Sequence, residues 1–472
     1  MEKNFWRPLL IMVGALVLIL TYAQMIPPWK NKVFATKRFD LAKDLKDAFL
    51  PSPADTIQAI VKKFDVSGET RPMLGFIEKL DSLKQSRSGN LRVAYFGDSI
   101  IEGDLISGKL REQLQIYYGG SGVGLVPITS IVNEFRRTIR HRFSKNWETL
   151  SFMNRGSGSP LGIIGYTFIP RGYYYAETVV QTQAPAPPAG DSLQSNQPAS
   201  PQTRKERQRF YTGGPAWVEY SGVDYPGGST EFNRIRLFYS HARQTSQVSV
   251  SLDGGPYKTY YLQPSETVQA LDLSPAAPIK KIRLEFNAGD PIHVYGVSFD
   301  DRTGVYVDNL SVRGFSGMSL DAIPAQSLSA FQAALHYDLI ILQYGENASD
   351  PNTRDYGYYK RGMTRSVKHL QAALPGVPIL VISAHDRSIR RNGTFQTSPD
   401  IPILVNTQSQ LAAETGCAFW NLFMAMGGMN SMPGYVNAAP PLANLDYTHF
   451  TVTGANKVAM MLYKVLTTGK VE

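Results

Sequence analysis

The sequence has 472 residues, of which 43% are hydrophobic, 11% aromatic and 18% charged, a composition typical of globular proteins. Lysine and arginine number 48 against 39 acidic residues. The resulting net charge of +9 is a mild bias, which fits an anionic surface or polymer but does not indicate a nucleic-acid-binding protein. The single cysteine, Cys417, excludes an internal disulfide framework, a cysteine-rich zinc site and an iron–sulfur cluster.

An uncharged run occupies residues 8–29 and is almost continuously apolar over residues 9–20. Its length is close to the roughly 20 residues that a helix needs to cross a bilayer. We therefore expect a membrane anchor, a single transmembrane helix, within residues 1–30. A cleaved signal peptide is the alternative, because Thr21-Tyr22-Ala23 weakly matches the small-residue cleavage pattern.

The charges around this run bear on its orientation in a membrane. More basic residues follow the run than precede it. The positive-inside count by itself therefore disfavours export. Short N-terminal tails that precede an apolar run nevertheless commonly stay in the cytoplasm. We expect a periplasmic or otherwise extracytoplasmic protein, anchored by the run, or secreted if the run is cleaved.

Strand and helix patterns alternate on both sides of a long middle segment. After an amphipathic, partly basic stretch at residues 31–75, which we expect to be a stalk, a buried strand is predicted at residues 91–96 and a helix at about 104–117. Further strands are predicted at residues 305–312, 338–344, 377–383 and 418–422, and helices at 324–335, 358–373, 402–415 and 453–466. This alternation predicts an α/β domain with a parallel sheet flanked by helices, formed by residues 76–132 and 304–472.

The middle segment, residues 133–303, is rich in Tyr, Gly, Ser and Thr and contains short alternating runs with a hairpin signal at Asp253-Gly254-Gly255. We expect it to be an all-β sandwich inserted into the α/β domain. Within it, residues 181–208 are dominated by Pro, Ala, Gln and Ser, which predicts a disordered loop. The basic cluster at residues 204–209 is expected to be a solvated run.

Ser99 lies in Gly97-Asp98-Ser99, directly after the strand predicted at residues 91–96. Ligands of open α/β sheets bind at the carboxyl ends of the strands. A serine that also opens a helix there is close to free N–H groups and positive potential, which suit an oxyanion. The tripeptide by itself is a weak signal, because a simple strand-to-helix turn uses the same residues.

Asp446 and His449 come just before the helix predicted at residues 453–466. A serine hydroxyl is a poor nucleophile near neutral pH unless a base takes its proton. Histidine suits that role because its pKa lies near the working pH, and a carboxylate on its other ring nitrogen fixes the tautomer. The pattern thus indicates a base with an orienting partner, with a packed core histidine as the alternative.

Two further polar segments follow predicted strands. Asn347, in Gly345-Glu346-Asn347, has an amide that can donate to a developing oxyanion, or it can be a turn residue. The segment at residues 313–317 follows the strand at 305–312, and a glycine there lets a backbone N–H approach the same point.

The order of these four segments resembles the SGNH/GDSL hydrolase superfamily. The resemblance implies a catalytic triad of Ser99, His449 and Asp446. It also implies an oxyanion hole that consists of the N–H groups of Ser99 and Gly317 with the side chain of Asn347. No metal and no organic cofactor is implied.

The match to the superfamily pattern covers about residues 91–114 and 304–466. Gly314 is a rival for Gly317, but Ser316-Gly317 is more similar to the family pattern. Ile100 replaces the common leucine, and Ala348 stands where an aspartate is frequent. The alanine at position 348 is typical of a subgroup of the family and does not by itself imply loss of activity.

The β insert makes the chain most similar to the peptidoglycan O-acetylesterases, whose inserted module resembles a carbohydrate-binding domain. This resemblance implies a serine esterase that removes O-acetyl groups from a cell-envelope glycan. Aromatic residues of the insert would then contact the glycan, and the candidates are Trp147, Tyr173, Tyr174, Tyr175 and Trp217, although most of them could instead be core residues.

Three other functions remain open at this point. A membrane-anchored acyltransferase of the same superfamily would pass the acyl group to a sugar hydroxyl instead of to water. Its envelope acyl-transfer or cell-wall partners are not identified by the sequence. A glycan-binding protein without catalysis would not need an intact Ser99, Asp446 and His449. An enzyme that acts on a lipid or another ester would be expected to have a long apolar lid, and the sequence does not show one.

Overall fold

The computed structural model describes residues 68–154, 159–182 and 202–470. The apolar run at residues 8–29 and residues 31–67 of the expected stalk lie outside the described residues. Residues 68–75, which the sequence pattern assigned to the stalk, instead belong to the folded domain: they contain strand β1 (Gly68–Glu69) and the start of helix α1 (Leu74–Ser86). No helix within the described ranges is long and apolar enough to span a bilayer.

The elements follow one another in three groups. The first contains β1 (Gly68–Glu69), α1 (Leu74–Ser86), β2 (Asn90–Gly97) and α2 (Leu105–Tyr118). The second contains β3 (Gly124–Val126), β4 (Arg140–Phe143), β5 (Trp147–Ser151), β6 (Tyr166–Pro170), β7 (Tyr173–Thr182), β8 (Gln202–Tyr211), β9 (Ala216–Ser221), β10 (Arg234–Ser240), β11 (Gln247–Leu252), β12 (Lys258–Tyr261), β13 (Gln269–Asp272), β14 (Lys281–Phe286) and β15 (His293–Asp300). The third contains β16 (Gly304–Ser311), α3 (Ala325–Leu335), β17 (Leu339–Gln343), α4 (Gly357–Ala373), β18 (Ile379–Ile382), β19 (Ser388–Arg391), β20 (Thr394–Thr397), α5 (Ile401–Thr415), β21 (Ala418–Trp420), α6 (Leu422–Ala425), α7 (Ser431–Val436) and α8 (Val452–Thr468).

A six-stranded sheet with the order β1-β21-β18-β17-β2-β16 forms the centre of the α/β part, which confirms the predicted parallel sheet. All neighbouring strands are parallel except β1, which pairs antiparallel with β21. Helices α1, α2 and α8 cover one face, and α3, α4 and α5 cover the other. Strand β2 lies between β16 and β17, so the chain reverses its winding direction there. Such a point opens a ligand-binding crevice at the carboxyl ends of the strands.

Helix α8 closes the domain and fixes the loop in front of it. The Thr451 side chain accepts a hydrogen bond from the Gly454 N–H at 3.2 Å, and Gly469 ends the helix with a φ of 67°. Its apolar side chains recur at helical spacing and face the sheet: Ala455, Val458, Ala459, Leu462, Val465 and Leu466. Because this stripe is buried, it also fixes the position of the segment before the helix, and that segment contains His449.

The inserted segment forms two packed antiparallel sheets, as expected for a sandwich. One has the order β13-β10-β15-β6-β5, with β3 also paired to β15, and the other has the order β12-β11-β14-β9-β4. Their inward-facing side chains form a separate apolar core. Because β3 already pairs with β15, the sandwich starts near residue 124 rather than at residue 133.

Strands β7 and β8 form a separate hairpin, which corrects part of the disorder expected for residues 181–208. Pairing runs from Tyr173 with Tyr211 to Thr182 with Gln202, so residues 181–182 and 202–208 belong to strands. Residues 183–201 lie outside the described residues. The described side chains of the basic cluster are exposed, as expected of a solvated run, and the guanidinium of Arg207 lies 4.4 Å from the centre of the Tyr175 ring. Such contacts depend on cross-strand register, which composition does not reveal.

A buried ion cluster joins the parallel sheet to the sandwich. Arg92 of β2 donates to both carboxylate oxygens of Asp308 in β16, at 2.7 and 2.8 Å, and also pairs with Asp300 of β15. Arg236 of β10 donates to the other oxygen of Asp300 at 2.8 Å. Burial alone would raise the pKa of Asp300, but Arg92 and Arg236 outweigh it and lower that pKa. The two parts of the fold thus share one neutralised charge cluster.

A second buried cluster lies at the start of α2. Arg111 pairs with Asp104 and donates to the carbonyl oxygen of Gly227, a residue of the insert, at 2.8 Å. Burial would raise the pKa of Asp104, but Arg111 and Arg136 outweigh it and lower the pKa to about 2. Both clusters therefore tie the insert to the α/β part through charges that are almost completely buried.

Replacing Arg92 with leucine should lower the free energy of unfolding by about 3–5 kcal/mol, because Asp300 and Asp308 would remain buried without their shared cation. Urea unfolding followed by tryptophan fluorescence measures the change. Arg71→Ala is the control, since Arg71 pairs with Glu69 on the open surface and its removal should leave the midpoint unchanged. Equal midpoints for Arg92→Leu and the parent would contradict a stabilising role for the cluster.

Candidate active site

Ser99 follows β2 in a tight turn at the carboxyl end of the sheet. A Cβ at Gly97 would lie 2.8 Å from the Ile101 side chain and 3.0 Å from the Gln343 carbonyl oxygen, so only glycine fits there. Residues 99–101 form a turn and Glu102–Asp104 a 3-10 turn, and α2 begins only at Leu105. The helix predicted at about residues 104–117 is therefore confirmed as α2, but it begins too far along the chain to place its N-terminus at Ser99.

His449 and Asp446 reach Ser99 from the loop before α8. The Ser99 Oγ lies 3.1 Å from His449 Nε2, and His449 Nδ1 lies 2.7 Å from Asp446 Oδ2. The serine and the histidine are 350 positions apart in the chain. The structure thus brings together all three residues of the predicted triad as one continuous chain of contacts.

The Asp446 carboxylate is held ionised by the turn that it caps. Its Oδ1 accepts the backbone N–H groups of Thr448 and His449, each at 3.0 Å. Partial burial would raise the pKa of Asp446, but these donors and the His449 imidazole outweigh it and lower that pKa. An ionised carboxylate only accepts hydrogen bonds, so Nδ1 of His449 carries the proton and Nε2 is free to accept the Ser99 hydroxyl proton.

Asn347 connects the loops that follow three neighbouring strands. Its Nδ2 donates to Asp98 Oδ2 at 2.9 Å, next to Ser99, and lies 3.4 Å from the carbonyl oxygen of Phe315. Asp98 follows β2, Phe315 follows β16 and Asn347 follows β17. The first Nδ2 hydrogen is engaged by Asp98, while the long contact to Phe315 leaves the second available to a ligand.

Asp98 is a residue of this site that the sequence analysis treated only as a turn former. Its side chain is 1% exposed, and its Oδ1 accepts the Ile100 N–H at 3.0 Å. Burial raises the pKa of Asp98 to about 6, although the Ile100 and Asn347 donors oppose this rise. The signal in the sequence is the carboxylate of Asp98 directly before Ser99, because a carboxylate that is buried beside a nucleophile needs hydrogen-bond donors around it.

Gly317 lies in the loop after β16, where glycine is required for steric reasons. Its φ is +83°, and a Cβ would lie 2.6 Å from Tyr344 Cδ2 and 2.9 Å from Met363 Sδ. The space around Gly314 is open, although its φ is also positive at 75°. Among the described residues, no acceptor is found for the N–H of Ser99 or of Gly317. Both groups are therefore free to donate to a ligand.

Two more residues beside the triad were not singled out from the sequence. Glu346 immediately precedes Asn347, and its Oε1 lies 3.1 Å from Nδ1 of His385, which follows β18. His385 Nε2 lies 2.7 Å from the carbonyl oxygen of Thr448, the residue before His449. The position of Glu346 next to Asn347 was visible in the sequence, but its burial and its partner were not.

Two cavities that share Thr149 lie on the insert, and the first also reaches the loop after Ser99; neither is lined by Ser99, Asn347 or His449. The first, of about 160 Å³, is lined by residues of both parts of the fold, among them Glu102, Asn309, Thr149 and Tyr166. The second, of about 440 Å³, shares Thr149 with the first, and we call it the tyrosine cleft. It is lined by Lys145, Trp147, Glu148, Thr149, Leu150, Asn154, Arg171, Tyr173, Tyr174, Tyr175 and Arg207.

The five aromatic candidates differ in their surroundings. Tyr173, Tyr174 and Tyr175 line the tyrosine cleft. Trp147 touches the cleft but is only 8% exposed, and its Nε1 donates to the Trp217 carbonyl oxygen at 3.1 Å. The Trp217 ring is covered by the Arg283 guanidinium at 4.0 Å. Only the three tyrosines are therefore placed to contact a ligand with much of their surface.

The described residues contain no group of three or more His, Cys, Asp or Glu side chains arranged to hold a metal ion. The contacts around Ser99 consist of a hydroxyl, an imidazole, carboxylates and amide donors. Such a set suits acyl transfer by a protein nucleophile.

No protein-family model matches the sequence, and no curated protein matches it significantly. Among solved structures, a peptidoglycan O-acetylesterase is similar with a TM-score of 0.60 and 20% identity, covering 83% of this chain and 94% of that one. A family two carbohydrate esterase from Cellvibrio japonicus also matches, with a TM-score of 0.18 and 11% identity over 43% of this chain and 77% of that one. A salicylyl-acyltransferase from a tetracycline biosynthetic pathway matches with a TM-score of 0.26 and 13% identity over 54% of this chain and 84% of that one.

The TM-scores of the last two matches are too low to establish a common fold. The first match covers 83% of this chain, more than the α/β part contains, so it extends into the β-sandwich as well. The resemblance that the sequence indicated is thereby confirmed at the level of the fold: the chain has the fold of a peptidoglycan O-acetylesterase, with its inserted β part.

Proposed function

We propose that the protein is a serine esterase that removes O-acetyl groups from a cell-envelope glycan, with peptidoglycan as the glycan. The observation that carries this proposal is the continuous contact from Ser99 Oγ to His449 Nε2 at 3.1 Å and from His449 Nδ1 to Asp446 at 2.7 Å. The shared fold with a peptidoglycan O-acetylesterase supports the choice of substrate.

The first half of the reaction forms an acetyl-serine. Ser99 Oγ attacks the acetyl carbonyl carbon while its proton moves to His449 Nε2, and Asp446 stabilises the resulting imidazolium. The carbonyl oxygen becomes an oxyanion, which accepts from the free N–H groups of Ser99 and Gly317 and from the second Nδ2 hydrogen of Asn347. The bond to the sugar oxygen then breaks, and His449 returns the proton to that oxygen.

Water completes the cycle. It attacks the acetyl carbon of the acetyl-serine, His449 takes its proton, and acetate leaves as Ser99 regains its hydrogen. The side chains of His449 and Asp446 are 41% and 49% exposed, so water can reach the base that activates it. This exposure favours hydrolysis over transfer to a sugar hydroxyl, because water then competes with any acceptor for the acyl-serine.

Cell-envelope glycans are polymers, and the surface beside the triad suits a long chain. The cavity at Glu102 and the tyrosine cleft adjoin each other and lead from the loop after Ser99 onto the insert. The Lys145 ammonium lies 5.5 Å from the centre of the Tyr174 ring, and Arg207 stacks on Tyr175. Aromatic faces bind sugar rings, and the cations complement an anionic polymer.

The location that we propose is extracytoplasmic, with residues 8–29 as a membrane anchor. Support for this part comes from the length and apolarity of that run. It agrees with a polymeric envelope substrate, which an anchored enzyme meets at the membrane surface.

Ser99→Ala should abolish release of acetate from O-acetylated peptidoglycan and from 4-nitrophenyl acetate, by a factor on the order of 10⁴ or more, since the nucleophile is lost. The fold should be unchanged, as judged by circular dichroism. Ser88→Ala removes a hydroxyl from an exposed position and is the matched control. Activity of Ser99→Ala above about a tenth of the parent would disprove the role of Ser99 as nucleophile.

Asn347→Ala should lower kcat by about 10²–10³ and leave KM nearly unchanged, because the carbonyl oxygen gains its charge only in the transition state. Steady-state kinetics on 4-nitrophenyl acetate measure both constants. Asn352→Ala, an equivalent change on an exposed turn of the same connection, should have no effect. A change confined to KM would instead show that Asn347 binds substrate outside the oxyanion hole.

Tyr175→Ala should raise KM for O-acetylated peptidoglycan about 2- to 10-fold, the loss expected for one aromatic contact. The kinetics on 4-nitrophenyl acetate should not change, because this small ester does not reach the tyrosine cleft. Tyr261→Ala, at a tyrosine 75% exposed on β12, is the control.

Substitution is a cleaner test here than deletion of the insert, because deletion would remove Asp300 from the buried Arg92 and the Gly227 carbonyl oxygen from the buried Arg111. Equal effects of Tyr175→Ala on both substrates would show that the insert shapes the catalytic pocket instead of holding the polymer.

A further inference from the structure

Two buried side chains connect the loop of Asn347 to the loop of His449. Glu346 Oε1 lies 3.1 Å from His385 Nδ1, and the two side chains are 8% and 1% exposed. On its other side, His385 Nε2 lies 2.7 Å from the Thr448 carbonyl oxygen. The His385 ring also packs on Phe450, at 4.8 Å between ring centres. His385 thus contacts the residues on both sides of His449.

The hydrogen-bonding capacity of these groups limits where the protons can be. A carbonyl oxygen only accepts, so His385 Nε2 must carry a hydrogen to bond Thr448. In a neutral imidazole, Nδ1 then has a lone pair and needs a donor. The nearby group is the Glu346 carboxyl, which donates only when it is protonated.

The surroundings of Glu346 favour the protonated form. Neither of its oxygens accepts a well-formed hydrogen bond from the described residues, so an ionised carboxylate would be poorly stabilised there. Its titratable neighbours come from every adjoining segment: Asp98, Tyr359, His385, Arg387, Asp400 and His449. Burial outweighs the cationic neighbours and raises the pKa of Glu346 to about 8. Burial likewise lowers the pKa of His385 to about 4, so its ring is neutral.

We propose that Glu346 and His385 form a buried, uncharged pair that positions the His449 loop against the Asn347 loop, and that the pair holds this position only while Glu346 is protonated. Glu346 and His385 are positioning residues: they touch neither Ser99 nor the acyl group and act through Thr448 and Asn347. This inference rests on the proposed function for its effect on catalysis, but not for the protonation of Glu346.

Loss of the Glu346 proton has a defined structural consequence. The carboxylate would then face the lone pair of His385 Nδ1. Moving the imidazole hydrogen to Nδ1 would relieve that repulsion, but it would bring the Nε2 lone pair against the Thr448 carbonyl oxygen at 2.7 Å. Either arrangement breaks one of the two contacts, so the loop before His449 is released.

The sign of the pH dependence follows from the raised pKa. The folded protein holds the Glu346 proton more tightly than the unfolded chain, whose glutamate pKa is near 4.5. The stabilising contribution is therefore complete below about pH 4.5 and is lost as the pH rises through about 8. Glu346→Gln has an amide that donates to Nδ1 but does not ionise, so it should keep the pair intact at alkaline pH.

The test compares the Tm and the kcat of the parent, Glu346→Gln, Glu346→Ala and Glu414→Gln from pH 5 to 9.5. Glu414 is a carboxylate of α5 with 58% exposure, and its amide variant controls for loss of one negative charge. Glu346→Gln should gain Tm relative to the parent progressively with pH. Its kcat should stay level up to pH 9, where the parent falls about tenfold through ionisation of Glu346. Glu346→Ala should lose kcat at all pH values.

Each outcome bears on one part of the inference. Identical pH dependence of Tm in Glu346→Gln and the parent would overturn the protonated state of Glu346. Diverging Tm curves with superimposable kcat profiles would overturn the positioning role. A parent inactive on every acetyl ester would instead contradict the proposed function, and the Tm comparison would still decide the state of Glu346.

Discussion

The buried charge cluster around Arg92 is the constraint on which the rest of the architecture depends. Arg92 lies between Asp308 of the parallel sheet and Asp300 of the sandwich, and all three side chains are almost fully buried. Charges that are removed from water must be paired, so the two sheets cannot separate without large cost. The insert is therefore held firmly against the α/β part, and with it the tyrosine cleft, which shares Thr149 with the cavity at Glu102.

The active-site geometry follows from the strand order. Because β2 lies between β16 and β17, the loops after these three strands meet at one edge of the sheet. Each contributes one group to the same point: the Ser99 hydroxyl with Asp98, the loop of Gly317, and the Asn347 amide. The burial of α8 then places His449 across the same edge. The sheet and one helix thus position every group that the proposed reaction uses.

The polar groups around the triad are divided between solvent and interior. His449 and Asp446 are open to water, which the proposed hydrolysis consumes. Asp98, Glu346 and His385 are buried just behind them. Burial raises the pKa of the two carboxyl groups and lowers the pKa of the His385 imidazole, and each of these shifts favours the neutral form. The exposed triad therefore packs against three buried titratable side chains, and the hydrogen bonds of these side chains depend on their protonation. If the proposed pairing of Glu346 with His385 holds, the geometry of the His449 loop depends on pH.

The sequence by itself determined the alternation of strands and helices, the all-β character of the insert, and which residues end the strands, because hydrophobic periodicity and turn chemistry are local properties. Together with the resemblance to the SGNH/GDSL superfamily, these features predicted that Ser99, Asn347, Asp446 and His449 converge. Tertiary structure decided the remaining features. The pairing of β7 with β8, the contact of Glu346 with His385, and the cluster of Arg92 with Asp300 join residues far apart in the chain. Their burial, and with it their charge, exists only once the two sheets and the helices have packed.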